Sequence, residues 1–187
     1  GRYGTGAFTQ TGGTNTVTNG LLLGYNSSGN GTYNLSGGTL NIGSNIVSGA
    51  GYGTFNLDGG TLNVTGSSIT LDEFNIGKAS GSNGSFTLVS GKTLTAGYEI
   101  IGRYGTGAFT QTGGTNTVTG DLYLGLESGG NGTYNLSGTG SLSAGYEYIG
   151  HFGTGVFTQT GGTNTVTNNL YLGYYSGGNG SYNLTGG

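Results

Sequence analysis

The sequence predicts an all-β parallel β-helix, a β-solenoid of about eight coils with roughly 24 residues and three short strands per coil. Three observations carry this reading. Residues 1–18 (GRYGTGAFTQTGGTNTVT) recur unchanged at 102–119, and a third copy fills 150–167. Apolar residues return at fixed phases along the whole chain. Finally, 113 of 187 residues are Gly, Thr, Asn or Ser, with no Pro, Cys, Met or Trp, a composition of strands and corners rather than helices.

The repeat is anchored by an aromatic residue that follows each small-residue turn: Phe8, Tyr33, Phe55, Phe86, Phe109, Tyr134, Phe157 and Tyr182. The gaps are 25, 22, 31, 23, 25, 23 and 25 residues. A second column, Leu23, Val47, Ile76, Ile101, Leu124, Ile149 and Leu172, precedes seven of these anchors. A third, Val17, Leu40, Leu62, Leu94, Val118, Leu142 and Val166, follows the Gly-Gly turns. Leu35, Leu57, Leu88, Leu136 and Leu184 stand two residues after an aromatic, which is strand spacing. Gln10, Gln111 and Gln159 take that inward place in the other coils and must pair with backbone or hydroxyl groups if buried.

The corners account for the glycine. Gly12-Gly13, Gly37-Gly38, Gly59-Gly60, Gly113-Gly114 and Gly161-Gly162 share one phase, as a corner requiring positive φ demands. Asn accepts tight turns, and its amide can form ladders from coil to coil. A single coil buries too little to fold alone, so stability comes from stacking; eight coils at about 4.8 Å make a rod roughly 40 Å long. The whole of 1–187 reads as one solenoid, a segment of a longer array. Residues 67–78 (SSITLDEFNIGK) read as an irregular insertion responsible for the 31-residue gap, a projecting contact loop or a tolerated lengthening.

The motif G-x-G-x-F-x-Q-x-G-G-x-x-x-V-x-x-x-L-x-L-G at 105–125 and 153–173, followed by G-G-N-G-x-Y-N-L-[ST]-G at 129–138 and 177–186, resembles the autotransporter-associated β-strand repeats of bacterial surface proteins. The resemblance covers nearly the whole chain, is strongest over 1–42 and 98–187, and weakens around 63–80. It implies a β-helix exported to the cell surface or beyond, in proteins some of which carry a PEP-CTERM sorting signal, acting as stalk, adhesin or matrix component. It implies no particular ligand.

Composition narrows the function. A net charge of −3, with no Lys/Arg cluster, argues against nucleic-acid binding, and no apolar run is long enough for a membrane helix. Seven acids, Asp58, Asp72, Glu73, Glu99, Asp121, Glu127 and Glu147, are too scattered for the clustered carboxylates of a carbohydrate-active enzyme. Glu99 and Glu147 share a phase two coils apart and read as a solvated face. His151 takes the position of Arg2 and Arg103, an exchangeable outward place. With one His and no Cys, neither a zinc site nor a Cys/His nucleophile pair is expected. The G-G-N-G stretches lack the Asp of calcium-binding solenoids, and no phosphate-loop motif occurs. The Thr rows are interrupted by Tyr33-Asn34-Leu35 and Tyr134-Asn135-Leu136, so no flat Thr lattice forms. The expectation is therefore no catalysis, no metal and no cofactor.

Two roles remain. The first is an extracellular structural protein whose coils stack end to end with copies of itself into a fibre, stalk or sheath. The second is an adhesin or polysaccharide-binding stalk. In that case Tyr25, Tyr123, Tyr171, Tyr174 and Tyr175, together with Asp72 and Glu73 of the irregular segment, form the contact surface.

Overall fold

The computed structural model describes residues 1–187, which form a parallel β-solenoid with no helix. The first three coils hold β1 (Thr5–Val17), β2 (Leu21–Leu23), β3 (Asn30–Ile42), β4 (Ile46–Ser48), β5 (Tyr52–Leu57) and β6 (Thr61–Val64). Next comes β7 (Ser68–Ile76). The remaining coils hold β8 (Asn83–Leu88), β9 (Thr93–Ile101), β10 (Thr106–Gln111), β11 (Thr115–Leu124), β12 (Asn131–Leu136), β13 (Ser141–Ile149), β14 (Thr154–Gln159), β15 (Thr163–Val166), β16 (Leu170–Leu172) and β17 (Asn179–Leu184). Every strand pair is parallel and joins successive coils.

The corners behave as their composition demands. Gly13, Gly38, Gly60, Gly114 and Gly162, the second member of each Gly-Gly pair, have φ between 66° and 77°. At Gly38 a Cβ would also strike the Gly12–Gly13 backbone one coil below, so the corner needs glycine for close stacking as well as for its backbone angle.

The aromatic anchors form a nearly continuous column of rings through the core. Centroid separations run 5.0 Å from Phe8 to Tyr33, 5.4 Å to Phe55, 4.6 Å from Phe109 to Tyr134, 5.0 Å to Phe157 and 4.6 Å to Tyr182. Most of these neighbours lie almost parallel, since the strand spacing brings rings at one phase into face-to-face stacking. Leu23, Ile76, Ile101, Leu124 and Ile149 are buried beside them, while Leu172, on the last coil, is 52% exposed.

Three expectations are corrected. Val47 is not a core residue: it pairs with the exposed Leu22, while Ile46 points inward opposite Leu21 and Ser48 takes the slot of Leu23. The spacing counted back from Phe55 misses the strand's register by one residue, which reverses every side chain. The third column resolves into two inward rows, with Leu40 and Leu62 opposite Asn15, and Ile42 and Val64 in line with Val17.

The third correction is the largest. Residues 67–78 contain no projecting loop; β7 is a nine-residue strand inside the stack. Its first part pairs with β4, Ile46 to Ile69, and its last part pairs with β5, Phe55 to Phe74 and Leu57 to Ile76. On its far side β7 pairs along its length with β9, Leu94 to Ile69 and Ile101 to Ile76. The ring-bearing side of the early coils is thus continued, above β7, by the third side of the later coils. The later ring strands β8, β10, β12, β14 and β17 begin a separate five-stranded sheet. The solenoid slips by one side. Phe74 carries the ring column across, 6.1 Å from Phe55 and 5.2 Å from Phe86, where it meets Phe86 edge-on at 86°.

Candidate functional site

Three places hold the chemistry of the molecule: the slip, an aromatic corner on the late coils, and a polar network inside the core.

At the slip, β6 pairs only with β3 and β8 only with β10, so each leaves one edge unpaired. Between them lies a cavity of about 270 Å³, floored by Leu62, Val64, Ile69, Phe86 and Leu88. The Lys92 ammonium closes one end, donating to the carbonyls of Val64 (3.3 Å), Thr65 (2.8 Å) and Gly66 (2.7 Å). The acids gather here too. Asp58 accepts from the amides of Lys78 (2.5 Å) and Ala79 (2.9 Å) and from the Ser82 hydroxyl. Asp72 accepts from the Gly53 amide at 2.7 Å. Glu73 accepts from Asn75 at 2.7 Å and from the Tyr52 hydroxyl at 3.2 Å, with Arg103 at 3.9 Å. Partial burial and the Glu73 carboxylate push the Tyr52 phenol up to about 12. Asp72 and Glu73 are half-buried and engaged with their own chain. Asn56 donates to Asn34 at 2.6 Å and the Asn75 side chain to Asn56 at 2.7 Å, an amide ladder whose last two members are buried and which ends at the slip.

Of the tyrosines singled out from the sequence, the fold brings four together. Tyr123, Tyr148 and Tyr171 stack outside β11, β13 and β16, 4.8 and 5.0 Å apart. Tyr174 lies 5.1 Å from Tyr148 and 4.7 Å from Tyr171, and Tyr175 lies 4.6 Å from Tyr174. His151 sits at the centre, parallel to Tyr174 at 5.3 Å and edge-on to Tyr175 at 4.9 Å, and Phe152 stacks on Tyr175 at 4.3 Å. Tyr25 does not join this patch: it lies in the first corner, where the Arg2 guanidinium is 5.6 Å from its ring centre. Tyr148, His151 and Phe152, with Tyr146 at 6.3 Å from Tyr148, are members that the sequence reading did not include. The signal was present for Tyr148, which occupies the phase of Tyr123 and Tyr171.

Burial, with the Asp121 carboxylate that accepts from the Tyr123 hydroxyl at 2.8 Å, pushes the Tyr123 phenol well above its ordinary range. Burial first, then Asp121, also raises Tyr148. These phenols stay neutral and offer ring surface and hydroxyls rather than a base. The equivalent earlier corners carry Arg2 over Tyr3 at 5.4 Å and Arg103 over Tyr104 at 5.8 Å, so the position accepts a guanidinium or an imidazole against rings.

The core network overturns the reading of Glu99 and Glu147 as a solvated face: they are 1% and 0% exposed. On each strand they alternate inward with Ile101 and Ile149, in one row with Phe74, Leu122 and Leu170. Asn116 donates to Glu99 Oε2 at 2.9 Å and to the Tyr134 hydroxyl at 3.1 Å. Tyr134 donates to Gln111 Oε1 at 2.6 Å, and Gln111 donates to the carbonyls of Gly114 and Ser141, each at 3.1 Å. One repeat later Asn164 meets Glu147 at 3.1 Å and Tyr182 at 3.3 Å, and Tyr182 donates to Gln159 at 2.6 Å. In the first coils Asn15, Tyr33 and Gln10 connect in the same way, with Gln10 donating to the Gly13 and Thr39 carbonyls. The glutamines are thus inward and paired, as the cost of an unmade buried hydrogen bond requires.

The arrangement offers an aromatic surface on the late coils. No three His, Cys, Asp or Glu side chains converge as metal ligands. Comparison with protein-family models, curated proteins and solved structures finds no match.

Proposed function

We propose that this chain is a structural element, a β-solenoid rod of an extracellular fibre, stalk or sheath that is lengthened by further coils on its terminal edges. One observation carries the reading: the core columns run the length of the rod and stand open at both ends. Phe8 is 52% exposed at one end, and Leu172 and Leu184 are 52% and 62% exposed at the other. Open strand edges beside exposed core residues recruit more strands. A second copy seated on either edge would extend the same ladders. The test is electron microscopy and fibre diffraction of concentrated protein. Filaments with a layer spacing near 4.8 Å are expected, and Phe8→Lys or Leu184→Lys should abolish them. A monodisperse monomer at every concentration would end the homo-assembly reading.

The patch around His151 favours a second role, stacking against the apolar face of a sugar ring in an extracellular polysaccharide. Binding on a glycan array that Tyr174→Ala and Tyr175→Ala both remove would support it. No signal on a broad array would count against it.

A further inference from the structure

Counting donors around Glu99 and Glu147 exposes a shortage of one proton in each network. Both amide hydrogens of Asn116 are used, on Glu99 Oε2 and on Tyr134. The Tyr134 hydrogen goes to Gln111 Oε1, and both amide hydrogens of Gln111 go to backbone carbonyls. Two buried atoms are left without a partner, Glu99 Oε1 and Asn116 Oδ1, and both are acceptors when the glutamate is ionised. The next repeat leaves the matching pair, Glu147 Oε1 and Asn164 Oδ1. One proton per glutamate repairs both deficits, because a carboxylic acid and a carboxamide can exchange two hydrogen bonds, O–H to amide oxygen and N–H to acid oxygen.

We propose that Glu99 and Glu147 are neutral carboxylic acids in the folded rod, each donating its proton to the asparagine seventeen residues on, and that this makes the coil stack a proton-sensitive device that is tightest in acid and loosens as pH rises toward neutrality.

The surroundings agree. The row holding the two glutamates contains Phe74, Leu122 and Leu170. The titratable groups that face Glu99 and Glu147 are phenols, Tyr134 for both and Tyr182 for Glu147. None of the four Lys and Arg side chains contributes to either glutamate. Burial pushes Glu99 from the ordinary 4.5 up to about 8 and Glu147 up to about 7, with the asparagine bonds opposing the shift in part. The direction of the pH effect follows. Below about 4.5 both states hold the protons. Above that, the unfolded chain ionises while the folded chain does not, so unfolding releases protons and stability falls as pH rises toward 7 to 8. Beyond about 8 the folded glutamates ionise as well and the loss levels off. In mild acid, where an ordinary ion-paired protein loses carboxylate contacts, this core keeps its own.

The experiment is denaturant unfolding of the whole chain from pH 5 to 9, beside the double variant Glu99→Gln, Glu147→Gln and each single variant. Glutamine copies the shape and hydrogen-bonding of a protonated glutamate, so the variants should fold. In the wild type the unfolding equilibrium constant should rise about tenfold per pH unit for each retained proton, near a hundredfold for the two between pH 5.5 and 6.5. The double variant should lose that slope and the single variants should halve its exponent. His151 and the surface acids are common to all forms and cancel in the difference. Infrared spectra of the wild type at pH 6 should show a protonated-carboxyl carbonyl band, diminished in each single variant and absent from the double. Equal slopes in wild type and double variant, or no such band at pH 6, would overturn the proposal.

Discussion

The coils before β7 and the coils after it use one repeat, yet they stand one side out of phase with each other. Before β7, the ring strands β1, β3 and β5 share a sheet; after it, that same sheet is continued by the strands carrying Glu99, Leu122 and Glu147. The difference teaches that the sides of this solenoid are interchangeable as backbone. Parallel ladder hydrogen bonds carry no record of which side chains a strand bears. What must be conserved is the filling of the centre, and Phe74 supplies the ring there. The break is costly where backbone pairing lapses, and charge collects at that point: Asp58, Asp72, Glu73, Lys78, Lys92 and Arg103 are six of the eleven charged residues of the chain. Asp58, Asp72 and Lys92 bond backbone groups that a regular coil pairs with strand.

If the slip is a side-for-side exchange, removing it cleanly should be tolerated. Deleting residues 68–73 shortens the 31-residue gap to 25, the commonest spacing elsewhere, and leaves Phe74-Asn75-Ile76-Gly77 at the phase of Leu21-Leu22-Leu23-Gly24. This variant should keep a folded β rod with the cavity closed, whereas deleting only 71–73 should unfold the adjoining coils. Far-UV circular dichroism and thermal melts of the two deletions distinguish a phase rule from a dependence on this particular strand.

The next effect compares a ring at the slip with a ring at an end. Phe74→Ala removes a buried ring and should cost about 3–5 kcal/mol, while Phe8→Ala, on a half-exposed ring, should cost below about 1 kcal/mol in the isolated rod. Equal losses would show that the column, rather than the slip, sets the energetics. A smaller loss is expected from Lys92→Met, which keeps the stem over Val64 and leaves three carbonyls without a charged donor, about 1–2 kcal/mol by urea unfolding. The smallest belongs to Arg103→Met: its partner Glu73 is 3.9 Å away and partly solvated, so the change should stay within about 0.5 kcal/mol.

Much of this was readable along the chain, and the failures have physical causes. Phe74 was passed over as an anchor because no Gly-x turn precedes it, and a ring reached by a straight strand leaves no corner signature. Glu99 and Glu147 carried a signal in their phase, two residues before Ile101 and Ile149 just as Leu122 precedes Leu124. Their charge in water argued for the surface, and only a protonated or fully paired carboxylate escapes that argument. For the aromatic patch, Tyr123 and Tyr171 were recognisable from alternation. That His151 and Phe152 complete it, and that Tyr25 stands apart, depended on which corners the coiling places side by side.

By itself the sequence determined the architecture: a repeated spacing, glycine at positive-φ corners and one inward ring per coil leave a parallel solenoid as the arrangement that stacks the anchor rings in one column. Only the tertiary structure decided the phase between the two halves, the inward turn of the glutamates and the neighbours of His151. Periodicity is a property of the chain alone. Which side meets which is set by stacking between strands nineteen or more residues apart, where a one-residue register or one extra strand changes every partner.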